Sequence, residues 1–286
     1  MTSSRAKAAE RQAVLKKLQP LLKKHFKFAL PKAERPVLET MLFAVCLENQ
    51  SPDEAERCYA RFRADFPDLN EARVSQVSEL ERAFSGLADS EWRGFRLRAA
   101  LQFVFEKSFT FEFESLKKKT LDLAVKQLAR LKHATPFIRS YTLQSALGAH
   151  LLPVDDSMRR LFVWMGLVEP TMSEDEIGEA LKSSVRKAEA ATFCLAIRLA
   201  ATDEFVRTHV PEVSEAPPEG YDPTTAIARL QGLLDRTEPK VKPKPKAAPP
   251  AAAPAAKKTA ASVKTESKTA PAKTKAVKPA TRTKSS

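Results

Sequence analysis

The thirty residues LKHATPFIRSYTLQSALGAHLLPVDDSMRR, Leu131 to Arg160, decide the fold of this chain. They read as a helix end, a sharp corner, a helix, a break and another helix. Lys132-His133-Ala134-Thr135-Pro136 forms the corner. Pro136 suits the first turn of a helix, where a backbone N–H would have no partner. Small and apolar residues follow to a terminal glycine, Gly148. Val154-Asp155-Asp156 then precedes the next helix start. Backbone N–H groups at a helix start keep a nearby carboxylate ionised. Either aspartate can serve as the N-cap there.

The rest of the chain agrees with an all-α reading. Only 7 glycines stand against 20 prolines in 286 residues, and runs of β-branched residues are scarce. Ala, Leu, Lys, Arg and Glu dominate, which favours helix. A chain this long can bury a sizeable core. Residues 5–26 read as an amphipathic helix with Val14, Leu15, Leu18, Leu21 and Leu22 on one side. Pro36 opens a segment, PVLETMLFAVCLEN, that is apolar on most of its circumference and so belongs inside the core. Ser51-Pro52-Asp53-Glu54 is a helix start with a capping serine, and its helix runs to about Phe66.

Further helices are expected at residues 77–84, from 89 onward, at 116–131, 136–148, 156–165, 173–185, 188–206 and 223–234. That makes roughly ten, with short links. The 116–131 pattern rests on Leu121, Leu123, Ala124, Leu128 and Leu131. Ser173 and Glu176 form a second capping box.

Several classes of function are excluded or disfavoured. The 3 cysteines, Cys46, Cys58 and Cys194, are widely spaced. They have no metal-ligand spacing and read as buried reduced thiols. No segment is long and apolar enough for a signal peptide or a membrane span. A soluble, cytoplasmic protein is expected, nucleoid-associated if bacterial.

The net charge of +13 is concentrated at one end. From Pro239 to Ser286, thirteen of the 48 basic residues meet one acid, Glu266. The preceding 238 residues are nearly neutral. From Thr237 onward the composition turns to Lys, Pro, Ala, Thr and Ser. Such a segment lacks the apolar surface to offset its ordering entropy, and it reads as a disordered tail. Lys242, Lys244, Lys246, Lys257 and Lys258, spaced by Pro and Ala, resemble the tails of linker histones. They would bind duplex phosphates by counterion release, without sequence preference.

Residues 36–199 carry a further likeness. PVLETMLFAVCLENQSP, FSGLADSEW, LKHATPFIRSYTLQSALG and VDDSMRR occur in that order. Together they resemble the endonuclease III-like superfamily of helix-hairpin-helix DNA glycosylases. The resemblance implies a two-lobed helical fold with a flipped base held between the lobes. It places Gln50 at the gap left by that base, Leu87 as a wedge in the duplex, and Lys132 and His133 at the hairpin phosphates. It makes Asp155 the carboxylate that stabilises charge on the sugar and activates water.

The departures narrow that reading. The lysine of lyase members corresponds to Phe137, which cannot form a Schiff base. Glycines are missing from the hairpin, so close backbone approach to a phosphate is harder. No cysteine follows Cys194, so the iron–sulfur cluster of many members is absent and no cofactor is expected. Ser157 stands where the family has histidine, and Arg160 where it often has arginine.

The implied organisation has an N-terminal helix, residues 1–30, packed with a C-terminal lobe, residues 151–236. A six-helix barrel with a degenerate hairpin occupies 31–150, and the basic tail 237–286. Three functions fit: a monofunctional DNA glycosylase acting through Asp155, a non-catalytic DNA-binding protein on that fold with Asp155 as a helix cap and a histone-like tail, and a chromatin-like architectural protein whose helical body binds a protein partner. The valine–aspartate turn, Gln50 and Leu87 favour the base-excision class. The near-neutral body, the missing hairpin glycines and Phe137 favour the second. The partner is double-stranded DNA in the first two, and a monomer is expected.

Overall fold

A computed structural model describes residues 2–31, 34–217 and 220–236, with side chains from Ala9 onward. The lysines singled out in the tail, Lys242, Lys244, Lys246, Lys257 and Lys258, lie outside the described residues. The described chain is all-α, with thirteen α-helices, short 3-10 turns and no strand.

The helices follow local signals. α1 spans Thr2–Phe26 and α2 spans Val37–Leu47. α3, Pro52–Asp65, starts where Ser51 accepts a hydrogen bond from the Glu54 N–H at 3.2 Å. α4 (Leu69–Val74), which the hydrophobic pattern did not predict, starts at the Asp68 cap. α5 (Val77–Glu81) ends in a 3-10 turn, and α6 spans Ser90–Ser108. α7 (Leu121–Leu128) and α8 (Pro136–Leu147) flank the corner. α9 (Asp156–Trp164), α10 (Glu174–Lys182), α11 (Lys187–Thr202), α12 (Glu204–His209) and α13 (Ala226–Leu234) complete the body.

Two expected helices are broken. Residues 116–131 divide into a 3-10 turn at Glu114–Lys118 and the short α7, because Lys119 and Thr120 are extended. Leu121, Leu123 and Val125 face solvent, and only Ala124 and Leu128 of α7 are buried. The helix expected over 188–206 stops at Thr202. Asp203 leaves helical geometry there and caps α12 by accepting from the Val206 N–H.

The apolar side chains gather into two clusters. One joins Val14, Leu15, Leu18 and Leu22 of α1 to residues between Leu152 and Leu234. The other runs from Val37 to Leu143. α2 lies at the centre of the second cluster, against α3, α6 and α8, and every residue in it but Glu39 is buried. Its near-continuous hydrophobicity has that cause: a helix enclosed on all sides has no polar face. Gly166 marks a close approach in the first cluster. Its φ is +72°, and a Cβ there would lie 2.1 Å from the Tyr221 carbonyl oxygen. Any side chain would force the α9 end away from the loop before α13.

Candidate nucleic-acid interface and its buried aspartate

The C-terminus of α2 exposes carbonyls that no helical N–H can reach. Two buried arginines supply donors. Arg93 of α6 is 2 % exposed and donates to the carbonyls of Val45, Glu48 and Ala88. Arg198 of α11 is 4 % exposed and donates to the Leu47 carbonyl at 2.8 Å and the Gln50 carbonyl at 3.3 Å. Positive charge at a helix C-terminus also complements its dipole.

Arg198 reaches Asp155 as well. Its Nη1 lies 2.7 Å from Asp155 Oδ2, and the Asp155 side chain has no solvent exposure. The remaining acceptor sites of the carboxylate are also taken. Oδ2 accepts from the Asn49 N–H at 2.8 Å, and Oδ1 from the Ser157 hydroxyl at 2.7 Å and the Met158 N–H at 3.0 Å. A carboxylate has about four lone-pair sites, and all are filled here. Burial alone would push this carboxyl up. The Arg198 guanidinium, the Ser157 hydroxyl and the N–H groups of Asn49 and Met158 outweigh burial and hold it below the usual carboxylate range.

Asn49 completes the junction. It adopts a left-handed conformation, φ 58°, which asparagine tolerates better than most residues. Its side-chain oxygen accepts from the Ser157 N–H at 3.0 Å while its own N–H donates to Asp155. The loop after α2 and the start of α9 are thus joined by reciprocal hydrogen bonds. Met158 belongs to one hydrophobic cluster and Leu47 to the other, so the junction ties the two together.

Phe137 occupies the same neighbourhood. It is 2 % exposed, packs against Tyr141, and carries the Arg198 guanidinium 4.6 Å from its ring centroid. The guanidinium thus lies between the Phe137 ring and the Asp155 carboxylate as a shared neighbour of both. Arg160 is committed elsewhere, pairing with Glu212 at 2.8 Å and donating to carbonyls at the end of α12.

A second, open face lies at the corner. Thr135 caps α8 by accepting from the Ile138 N–H at 3.2 Å. His133 takes φ 63°, the conformation a hairpin glycine would supply. Lys132 and His133 are both exposed. The His133 ring lies 6.1 Å from Trp92 and 6.3 Å from Phe95, which are 49 % and 38 % exposed. Asp89, Trp92, Arg96 and His133 line an open concavity of about 320 Å³. Arg96 pairs with the nearly buried Glu48 at 3.2 Å, and its Nε is buried without a hydrogen-bond partner among the described residues. Burial pushes the Glu48 carboxyl up despite that pair.

The sequence-derived positions therefore separate. Asp155 and the Gln50 backbone meet through Arg198, while the Gln50 side chain is half-buried. Lys132 and His133 join the exposed aromatic face. Leu87 is half-buried against the second cluster. Sequence reading missed Arg198, Arg93 and Trp92. Arg198 is an isolated cation within an Ala- and Leu-rich helix, which is the one local sign that a buried partner awaits it.

Comparison with known proteins adds the fold. No family model matches the chain, and no curated protein matches it by sequence. Among solved structures, a non-covalent endonuclease III–DNA complex superposes with a TM-score of 0.53 at 15 % identity, covering 77 % of this chain and 98 % of that one. A trapped endonuclease III–DNA covalent intermediate, an estranged-adenine complex, also gives a TM-score of 0.53. Its identity is 13 %, and the match covers 72 % of this chain and 90 % of the other. The chain has the all-α fold of these endonuclease III structures.

Proposed function

We propose that this chain is a duplex-DNA-binding protein on the base-excision glycosylase fold, in which Asp155 holds the structure together and does not attack a glycosidic bond. One observation carries the reading: every acceptor site of Asp155 is occupied within the protein, and its side chain has no exposure. A catalytic carboxylate must face the sugar carbon and a water molecule. This one faces Arg198, with Phe137 beneath the guanidinium. Schiff-base chemistry at the Phe137 position is chemically impossible.

DNA binding is supported by the fold shared with structures solved on DNA and by the open corner. Lys132 and His133 would contact phosphates as side chains, with Leu87 and Gln50 nearest the duplex stack. The division is into a barrel of residues 31–150, a lobe formed by residues 1–30 with 151–236, and a tail of residues 237–286. The tail lysines would add affinity that falls steeply with salt.

The test is base release from duplexes carrying a panel of damaged or mismatched bases, developed with alkali to reveal abasic sites. Wild type, Asp155→Asn and a chain ending at Glu238 are compared. The proposal expects duplex binding by wild type with no release on any lesion. Release by wild type that disappears in a folded Asp155→Asn protein would establish a monofunctional glycosylase instead. Absence of duplex binding by the full chain would overturn the DNA reading altogether.

A further inference from the structure

The end of α6, the turn at Glu114–Lys118 and α7 enclose a concavity of about 400 Å³ that contains none of the residues of the Asp155 junction. Lys107, Lys119, Lys126 and Arg130 line it, with Glu112 as the only acid. Nearby Lys117 pairs with Glu114 at 3.1 Å, yet none of the four lining cations makes an ion pair among the described residues. Four like charges around one hollow repel one another. Lys107 registers that cost: burial first, then the charges of Lys119 and Arg130, hold its ammonium below the usual lysine range. Its Nζ sits 3.9 Å from the Phe103 ring centroid, a favourable cation–π contact.

The lining also supplies uncharged hydrogen-bonding groups, from Ser115 and Gln127. A guanidinium fork with several ammonium groups matches oxygens that carry more than one negative charge. A single carboxylate would leave most of the cations unmatched. We propose that this hollow is a phosphate-binding site that takes closely spaced phosphate groups, either of a small polyphosphate or of a nucleic-acid backbone. It is separate from the Asp155 reading and can be present whichever way that reading falls.

The test titrates the full chain with inorganic tripolyphosphate by calorimetry, and separately with an undamaged duplex. Three variants are compared with wild type: Lys119→Gln/Lys126→Gln/Arg130→Gln, Glu112→Gln, and a control that removes tail charge, Lys242→Gln/Lys244→Gln/Lys246→Gln. The three pocket positions changed together are exposed, and helical circular dichroism checks that the variant folds. Losing three charge-assisted contacts should weaken tripolyphosphate binding about tenfold or more. The tail control should lose markedly less. Glu112→Gln should tighten binding, because it removes the one repelling charge. A parallel loss of duplex affinity in the pocket variant assigns the phosphates to a DNA backbone, and unchanged duplex affinity assigns them to a small polyphosphate. Undiminished tripolyphosphate binding by the pocket variant, an equal loss in the tail control, or weaker binding by Glu112→Gln would overturn the proposal.

Discussion

The Asp155 junction and the hollow at the end of α6 both concentrate charge, and they treat it in opposite ways. At Asp155 each charged group has its partners: carboxylate, guanidinium, hydroxyl and backbone donors close on one another. At the hollow, Lys107, Lys119, Lys126 and Arg130 face one another with a single acid among them. A buried charge persists only when paired and hydrogen-bonded. An open cluster of one sign is tolerated because water screens it, at some cost in repulsion. Completed charge belongs to the architecture of the molecule, and uncompleted charge is available to a ligand.

The contrast breaks most directly at Arg198. Arg198→Ala should cost about 3–5 kcal/mol of stability, because it leaves the Asp155 carboxylate buried without its counter-charge. Denaturant midpoints measure this. A loss under about 1 kcal/mol would mean that water reaches Asp155 readily, and the closed description of the site would fail. Should the same variant release damaged bases, Arg198 would be a gate over a competent carboxylate.

Asp155→Asn comes next, with an expected loss of about 1.5–3 kcal/mol near neutral pH, the range for hydrogen bonds to charged groups. Its pH dependence has a definite sign. The folded carboxyl is held below 3.8, so its contribution is complete above that value and disappears as the pH falls through the depressed folded pKa. Wild type and Asp155→Asn should therefore converge in stability only in strong acid. Convergence already at pH 5 would contradict the filled coordination of the carboxylate.

Thr135→Ala sharpens the comparison at the exposed corner. It removes the cap on α8 and should cost about 1 kcal/mol. If the corner sits on DNA, duplex affinity should fall by more than that stability change explains, which fluorescence anisotropy would show. The smallest effect is expected in the hollow. Lys119→Gln/Lys126→Gln should leave stability within about 0.5 kcal/mol of wild type, or raise it slightly by relieving repulsion. A loss above about 1 kcal/mol would show that these lysines are structural after all.

Much of the scaffold could be read from neighbours within four residues. Ser51 with Pro52, Ser173 with Glu176, Pro136 and Gly148 mark helix ends through hydrogen bonds or backbone geometry that act locally, and each end lies where those residues put it. The unbroken apolar run of α2 announced its central place for a similar reason, since period and polarity are properties of one segment. Reading failed where a local signal was weak or where two signals competed. Thr120 and Asp203 interrupt helices that apolar spacing alone would continue, and Leu121 and Leu123, which that spacing would bury, are exposed with Val125.

The fate of Asp155 was beyond the sequence. Its place before a helix was legible, and an N-cap and a catalytic base look alike there. What surrounds the carboxylate is Arg198, 43 residues along the chain, and Asn49, 106 residues away, brought to it by helix packing. No pattern of spacing encodes such a meeting. It depends on which helix faces meet and which space Phe137 fills, and only the folded chain fixes both.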